Sequence, residues 1–232
     1  TSSMSVADWR RMCLFSWVTM VLHSMKLGFF LLTYLVDRYR IRYVDFITYI
    51  SESKMPFRMG TIWREELSHF DCQVDRLLQG CGRGHEMPGF GDLYWDEEEA
   101  SFLRISDGLD RFYQEMLELS REFLCEHGVP YDDAELREAV EYQRLRIPSI
   151  EEKGTSQWKF DFNFPEYFDA RFGTHPLPFD RKPQVLTVHA KEYDGGLAAY
   201  ARQTILWGRK SGTMLTDVRW CDREPALIER PR

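Results

Sequence analysis

Three residues are candidates for lining a small-molecule pocket, because each brings a polar group to an apolar or glycine-rich stretch. His23 lies in an apolar helical segment, where an imidazole is either a hydrogen-bonded core residue or a group facing a buried substrate or cofactor. Tyr142 ends an amphipathic helix, and Arg209 lies in the turn at residues 207–212, where a guanidinium can bind an anion. A helix face and an ordinary basic turn are the structural alternatives for these two residues.

Other groups of reactive residue types do not form a recognised catalytic or metal-binding motif. Cys72, Cys81 and His85 have the spacing C-x8-C-x3-H, which is not a known zinc-ligand pattern and lacks a fourth ligand. The glycines at residues 80–84 neither follow a predicted strand nor precede Lys-Ser/Thr, as a phosphate-binding loop requires. Consecutive glutamates at 97–99 point in different directions on a helix, so we interpret them as a favourable acidic first turn.

The composition is that of a folded, acidic protein. Of 232 residues, 44% are hydrophobic and 15% are aromatic, which suffices for a sizeable core and excludes a disordered or low-complexity chain. Acidic side chains number 37 and basic ones 30, so we expect no nucleic-acid partner. The five cysteines are scattered and no signal peptide is visible, so we expect a cytoplasmic location. The sequence begins with Thr1, and we expect it to be part of a longer protein.

The first apolar stretch predicts a buried helix pair rather than a membrane span. Ser5 is expected to cap a helix over residues 6–24, and a second helix is expected over residues 26–39. A histidine, a serine and a lysine interrupt the apolar run at residues 12–36, leaving two segments that are each about half the roughly 20 residues a span requires. We therefore expect no membrane span, and peripheral membrane attachment through this run is the weakest functional hypothesis.

Hydrophobic periodicity predicts further helices in a body that we place at residues 1–147. A short helix is expected over residues 43–51, and apolar residues between 63 and 77 recur at helical spacing. The strongest pattern runs without interruption from Phe102 to Phe123 and predicts one long core helix. A further helix is expected over residues 132–145.

The C-terminal part, at residues 148–222, has the pattern of a small α+β appendage. Aromatic and polar residues alternate strictly from Trp158 to Phe164, which predicts a half-buried strand. Other elements are expected as strands near residues 185–189 and 213–220 and as a short helix at 197–206. The predicted fold is thus mainly α, with a helical bundle-like body followed by a few-stranded mixed sheet and, at 223–232, a disordered tail.

Several segments, taken in order, resemble the C-terminal region of cobalamin-binding radical S-adenosylmethionine proteins. The resemblance extends over most of the chain, roughly residues 1–220, and depends on the order of the segments rather than on any one of them. The segments are TSSMSVADW at 1–9, HSMKL at 23–27, YVDF at 43–46, WDEEEASFL at 95–103, LDRFY at 109–113, FDFNFPEYF at 160–168, YAR at 200–202 and WGRKSG at 207–212.

The resemblance implies a role but assigns no cofactor ligand to this chain. In that family a cobalamin domain is followed by a partial barrel whose Cys-x3-Cys-x2-Cys loop ligates a four-iron–four-sulfur cluster and supports S-adenosylmethionine cleavage. A helical C-terminal region then closes the barrel and helps to shape the substrate pocket. This sequence has neither the cobalamin domain nor the cysteine loop. We therefore expect it to bind none of these cofactors alone and to pair with an upstream barrel and cobalamin domain, in the same or a separate polypeptide.

A different class of function stays open beside this one. The sequence contains no local catalytic motif, such as a nucleophile elbow, that would mark a hydrolase. A stand-alone helical interaction or ligand-binding module without catalytic activity therefore fits the residues equally well. Among the activities of the resembled family, a methyl transfer is the one that we favour for a full-length enzyme.

Overall fold

The computed structural model describes residues 4–51, 61–82, 84–173, 177–208 and 214–223. Over these residues the protein is mainly helical with a small α+β part near its C-terminal end, which confirms the predicted fold class. The first three helices are α1 (Val6–Thr19), α2 (Phe29–Tyr39) and α3 (Tyr43–Ser51). The boundaries of α3 are those expected from the sequence.

The start of α1 follows the predicted capping pattern. The Ser5 hydroxyl accepts a hydrogen bond from the Asp8 backbone N–H at 3.1 Å, which satisfies one of the free N–H groups of the first turn. At its other end α1 continues as a π-helical turn, Met20–Ser24. The chain then turns at Lys26, whose φ of 66° is left-handed, before α2 begins. The second helix therefore starts three residues later than predicted.

The middle of the chain contributes a long helix, a small hairpin and a helix pair. These elements are α4 (Ile62–Leu78), β1 (His85–Glu86), β2 (Tyr94–Trp95), α5 (Glu97–Ser106) and α6 (Leu109–Glu126). The strands β1 and β2 pair antiparallel and follow the glycines at residues 80–84. Asp96 caps α5, and its own backbone N–H donates to the Glu99 carboxylate at 3.0 Å.

The prediction of one uninterrupted helix from Phe102 to Phe123 is wrong, because the helix breaks at Asp107 and Gly108. The backbone N–H of Gly108 bonds to the Ile105 carbonyl at 2.9 Å, which closes a tight turn at the end of α5. A Cβ atom on Gly108 would lie only 2.8 Å from the Ile62 side chain, so glycine allows α4 to approach the break closely. The apolar stripe continues through the break, which is why periodicity did not reveal it.

The C-terminal part contains an antiparallel sheet rather than the predicted mixed sheet. After α7 (Asp133–Leu145) come β3 (Thr155–Phe160), α8 (Phe164–Arg171), β4 (Gln184–His189), α9 (Gly196–Ala201) and β5 (Asp217–Cys221). The strand order is β3-β4-β5, and both pairings are antiparallel. Leu186 at the centre of β4 lies opposite Trp158 and Trp220. A π-helical turn, Arg202–Leu206, extends α9.

The alternating aromatic segment is only in part a strand. It leaves the sheet after Phe160, and Phe164 begins α8 with Pro165 in its first turn. A proline is favourable at that position, because its missing N–H would have had no partner there and its φ suits the helix. The sequence pattern correctly placed the aromatic side chains, since Phe160, Phe162 and Phe164 are all buried. Trp158 is 39% exposed.

One buried apolar cluster joins the helical body to the C-terminal part. Tyr142 of α7, for example, stacks on Phe168 of α8 with ring centroids 5.1 Å apart. Full burial of each such aromatic or aliphatic side chain contributes about 1.5–3 kcal/mol. The cluster includes residues of α1 to α9, residues of β3 and β4, and Met214, which precedes β5. Arg209 and residues 224–232 lie outside the described residues.

Candidate functional site

A groove with mainly apolar walls lies between α1, α4 and the start of α5. Its volume is about 530 Å³, which is in the range of small-molecule and peptide sites. Its lining includes Trp9, Met12, Cys13, Gln73 and Glu97. The elements that form it come from two distant parts of the sequence.

The N-terminal half of α1 leaves apolar side chains exposed along one wall of this groove. Met12, which lines the groove, is 49% exposed, and Val6, six residues earlier and outside the groove lining, is 60% exposed. Trp9 and Cys13 are half-buried, whereas Trp17 is 3% exposed. The helix therefore passes from the core at its C-terminal half to an uncovered apolar face at its N-terminal half, which is typical of an interaction surface.

The floor of the groove is a rigid aromatic layer. The Trp17 ring stacks on Phe70 at 4.8 Å and on Trp63 at 5.7 Å, between ring centroids. The indole N–H of Trp17 donates to the Ser101 hydroxyl at 3.2 Å. Offset or stacked aromatic pairs add to the free energy of burial, so this layer fixes α1 against α4 and α5.

A buried ion-pair network adjoins the groove at Glu97. Arg104 of α5 donates two hydrogen bonds to Glu66, at 2.7 and 2.8 Å, and Glu66 is 3% exposed. Burial opposes the charge of Arg104, but the hydrogen bonds and the charge of Glu66 outweigh it, so the pKa of Arg104 is raised. Arg104 also contacts Glu97, which hydrogen-bonds the Nε2 atom of His85.

Gln73 lines the groove and has a buried hydrogen-bond acceptor. Its side chain is 4% exposed, and its Oε1 atom has no partner among the described residues. Its Nε2 atom is 3.5 Å from the Gly82 carbonyl, which is a long contact. A buried amide oxygen without a hydrogen-bond partner is costly in free energy.

The groove combines apolar walls with a lining that is rich in carboxylates. Asp96, Glu97 and Glu98 all line it near the start of α5. Such a surface can bind an apolar segment that carries a hydrogen-bond donor or a positive charge. Within the described ranges no three His, Cys, Asp or Glu side chains gather in a way that could hold a metal ion.

The sequence singled out His23, and the structure places it at the surface beside Tyr43. Its Nδ1 atom is 3.0 Å from the Tyr43 hydroxyl, and its ring packs edge-on against Phe29 at 5.2 Å. Partial burial, and to a lesser extent the charge of Lys26, lowers the pKa of His23 below its ordinary value. His23 is therefore a surface residue in an aromatic setting rather than a core histidine.

Tyr142 lies inside the core and does not line the groove. It is fully buried, stacks on Phe168 and contacts Phe30 edge-on at 5.3 Å. Its hydroxyl accepts a hydrogen bond from Arg146 at 3.0 Å. Burial raises its pKa, with the positive charge of Arg146 opposing the shift. A chain of ring contacts through Phe29 and Phe30 links it to His23.

The groove residues themselves were not identified from the sequence as site residues. Glu97 was interpreted as part of an acidic helix start, which it is, and His85 as a weak metal ligand. The structure instead pairs these two side chains, while Cys72 and Cys81 are exposed thiols. One sequence feature could have indicated the groove. It is the group of large apolar residues at the start of α1, some of which stay exposed in the structure.

Comparisons with known proteins do not place this chain in a family, so its function has to be inferred from its own residues. No protein-family model matches the chain, and no curated protein matches it significantly.

Among the described helices, none is by itself long and apolar enough to cross a membrane. The segments Val6–Ser24 and Phe29–Tyr39 reach the length and hydropathy of a membrane span only when they are taken together. Their axes are bent by 96° relative to each other. Several residues of the second helix, including Leu31, Leu32 and Leu35, are almost completely buried inside the protein. The hydropathy of this stretch is therefore accounted for in large part by core packing.

Proposed function

We propose that this chain is the C-terminal, barrel-closing and substrate-pocket-shaping region of a cobalamin-dependent radical S-adenosylmethionine enzyme, of the methyltransferase type. In this proposal the upstream barrel and cobalamin domain hold the four-iron–four-sulfur cluster, S-adenosylmethionine and cobalamin. This chain contributes a water-excluding wall, which radical chemistry requires to protect reactive intermediates. The protein acts in the cytoplasm, where the five free thiols would stay reduced.

The observation that carries the proposal is that separate segments of the resemblance meet in space. Trp9 of the first segment and residues 96–98 of the WDEEEASFL segment line the same groove. His23 of the HSMKL segment contacts Tyr43 of the YVDF segment. The Tyr113 hydroxyl of the LDRFY segment donates to the Leu27 carbonyl at 2.9 Å.

The uncovered face of α1 is the surface that we assign to the upstream barrel. It is apolar, and the adjoining rim is acidic, so the complementary surface should be apolar with a basic edge. The rest of the apolar cluster is internally packed, with large side chains such as Trp63 and Trp95 fully buried. Covering of the groove by another domain would remove exposed apolar area at Met12 and the neighbouring side chains.

The first test is the coding sequence upstream of Thr1. The proposal expects an in-frame or adjacent reading frame with a Cys-x3-Cys-x2-Cys motif. A second test is co-expression of the encoded domain with this chain and measurement of complex formation by calorimetry. Met12→Glu should weaken the complex by at least about tenfold, because it places a charge in an apolar interface.

Val44→Glu is the matched control. Val44 lies on α3 and is 44% exposed, close to the exposure of Met12, but it does not line the groove. Equal affinity of Met12→Glu and Val44→Glu for the upstream domain would contradict the proposal. A gene region without the cysteine motif would contradict it as well.

A stand-alone helical ligand-binding or interaction module is the second candidate. The continuous apolar cluster from α1 to Met214 favours it, because a chain with its own core can fold without a partner. It predicts one cooperative unfolding transition that the upstream domain leaves unchanged. A rise in the midpoint on addition of that domain would instead support the barrel-closing role.

A further inference from the structure

A polar cavity lies between the C-terminal end of α2, α8 and the segment that leads into β4. Its volume is about 390 Å³, which is in the range of small-molecule sites. Three arginines line it, Arg38, Arg40 and Arg171, against a single carboxylate, Asp37. The cavity shares no lining residue with the groove at α1.

The carboxylate of the lining is already neutralised by one of the three arginines. The Asp37 Oδ2 atom accepts a hydrogen bond from Arg171 Nε at 2.7 Å and another from the Tyr167 hydroxyl at 2.5 Å. All three side chains line the cavity, so this pair contributes polar groups to the lining but no net charge.

Arg38 is held beside the cavity by a carboxylate that is not part of the lining. Its Nε and Nη2 atoms donate to Glu135 at 2.7 and 3.1 Å. Its guanidinium lies over the Phe179 ring, 5.8 Å from the centroid, and Phe179 lines the cavity. The charge of Arg38 is therefore balanced by Glu135.

Arg40 supplies the charge that stays unbalanced. Its side chain is exposed and has neither a hydrogen bond nor an ion pair to a described residue. Burial opposes the charge of Asp37, but Arg171, Tyr167 and finally the charge of Arg40 lower the Asp37 pKa, so Arg40 acts on the carboxylate at this cavity. The negative end of α2 offsets only about half an elementary charge. An excess of at most one positive charge suits a monoanion better than a dianion.

An aromatic wall faces the same space. The Phe179 ring packs edge-on against Tyr167, with centroids 5.5 Å apart, and against Tyr34 at 5.7 Å. These three rings line the cavity and hold one another in place. An apolar part of a ligand can pack against them, while a guanidinium matches the planar geometry of a carboxylate.

We propose that this cavity binds a small organic monoanion, namely a carboxylate attached to an aromatic or aliphatic group. Arg40 pairs with the carboxylate, and the aromatic wall contacts the apolar part. The inference is independent of the function proposed for the groove, since it uses different residues at a separate place in the fold.

The test is titration of the full chain with benzoate, followed by calorimetry and saturation-transfer NMR. Benzamide and benzylamine offer nearly the same shape with a neutral and a positive group. Phenyl phosphate offers a dianion at about pH 8, well above the second pKa of a phosphate monoester. Benzoate should bind saturably, and benzamide and benzylamine should bind at least about tenfold more weakly, because they lose the charge-assisted hydrogen bonds.

Arg40→Asn should weaken benzoate binding by about tenfold, since it removes the unpaired guanidinium. Asparagine suits the left-handed backbone at this position, where φ is 57°. Arg42→Asn is the matched control, because it removes the same charge two positions later from a residue that pairs with Asp45 and does not line the cavity. Its affinity should equal that of the parent. If Arg40→Asn does not fold, Arg40→Gly tests the same loss, since glycine also adopts a positive φ.

Four results would overturn the inference. One is the absence of saturable benzoate binding, which would mean that the cavity holds solvent only. Another is binding of benzamide or benzylamine that equals or exceeds that of benzoate. Tighter binding of phenyl phosphate than of benzoate would contradict the assignment of a monoanion. The last is equal benzoate affinity for the parent and for Arg40→Asn.

Discussion

The side chain of Gln143 in α7 holds the first turn of α2 through the backbone of Phe30. Its Oε1 atom accepts from the Phe30 N–H at 2.8 Å, and its Nε2 atom donates to the Lys26 carbonyl at 2.9 Å. Gln143 is fully buried. One amide thus satisfies a free N–H of a helix start and a carbonyl of the turn before it.

Replacing Gln143 by leucine should therefore destabilise the protein strongly. Two buried backbone groups lose their partner, and each such loss costs about 1–3 kcal/mol, so we expect a decrease of about 2–4 kcal/mol in the free energy of unfolding. Urea denaturation measures the decrease. The control is Gln114→Leu on the exposed face of α6, which should change stability by less than about 0.5 kcal/mol. Similar values for both variants would contradict the capping role.

A second prediction concerns the ion pair that supports the groove. Arg104→Met leaves Glu66 as a buried carboxylate without its bidentate partner, and such a loss costs about 3–5 kcal/mol. Chemical denaturation at neutral pH should show this decrease. The comparison is Arg111→Met, whose pair with Glu115 at 3.4 Å lies on a side chain that is 55% exposed, and which should cost less than about 1 kcal/mol. A larger loss for the Arg111 variant would disprove the assignment.

A third prediction is that the free energy of unfolding depends on pH through Asp37, whose side chain joins α2 to α8. Partial burial disfavours its charged form, but hydrogen bonds from Arg171 and Tyr167 outweigh burial and lower its pKa below the ordinary 3.8. The unfolded chain then binds more protons than the folded one at acid pH. The stabilisation by Asp37 is complete at a pH above the ordinary pKa of the carboxyl group, and it is lost as the pH falls through the lowered pKa of the folded state.

The measurement is the free energy of unfolding from neutral pH to below pH 3.8. Asp37→Asn should flatten the acid decrease relative to the parent, whereas Asp194→Asn at an exposed position should leave its shape unchanged. An identical acid slope for the parent and for Asp37→Asn would exclude Asp37 as a source of the dependence.

A fourth prediction tests the break between α5 and α6. Gly108→Ala forces a Cβ atom to within 2.8 Å of the Ile62 side chain. Overpacking of this kind costs about 1–3 kcal/mol. Ile62→Val removes the clashing methyl group, so the double variant should lose less stability than the sum of the two single variants. Strict additivity in a double-mutant cycle would show that the two positions do not contact.

The sequence predicted most helices because their apolar residues repeat at the helical period and their caps are local. Ser5, Asp96 and Asp132 each begin a helix through hydrogen bonds to residues two or three positions away. The break at Gly108 depends instead on the approach of Ile62, 46 positions earlier, and no local pattern carries that information. The start of α8 was missed because the alternating aromatics continue past the last strand residue.

The groove was harder to predict than the fold because it depends on which apolar residues stay uncovered. Periodicity marks Met12 and Trp17 alike as apolar, yet one is 49% and the other 3% exposed. Only the packing of α4 and α5 against the second half of α1 separates them. The same holds for Tyr142, whose polar hydroxyl marked it for a pocket although Arg146 satisfies it within the core.

Lys26 has a left-handed backbone conformation, and its charge also affects the pKa of the nearby His23 imidazole. A non-glycine residue at φ 66° costs up to about 1–2 kcal/mol, and here its ammonium covers the Phe29 ring at 4.0 Å. Lys26→Gly would relax the backbone and at the same time remove a charge that adds to the effect of burial in lowering the His23 pKa. A single side chain therefore contributes both to the conformation of this corner and, less than burial does, to the pH at which the His23 imidazole becomes a cation.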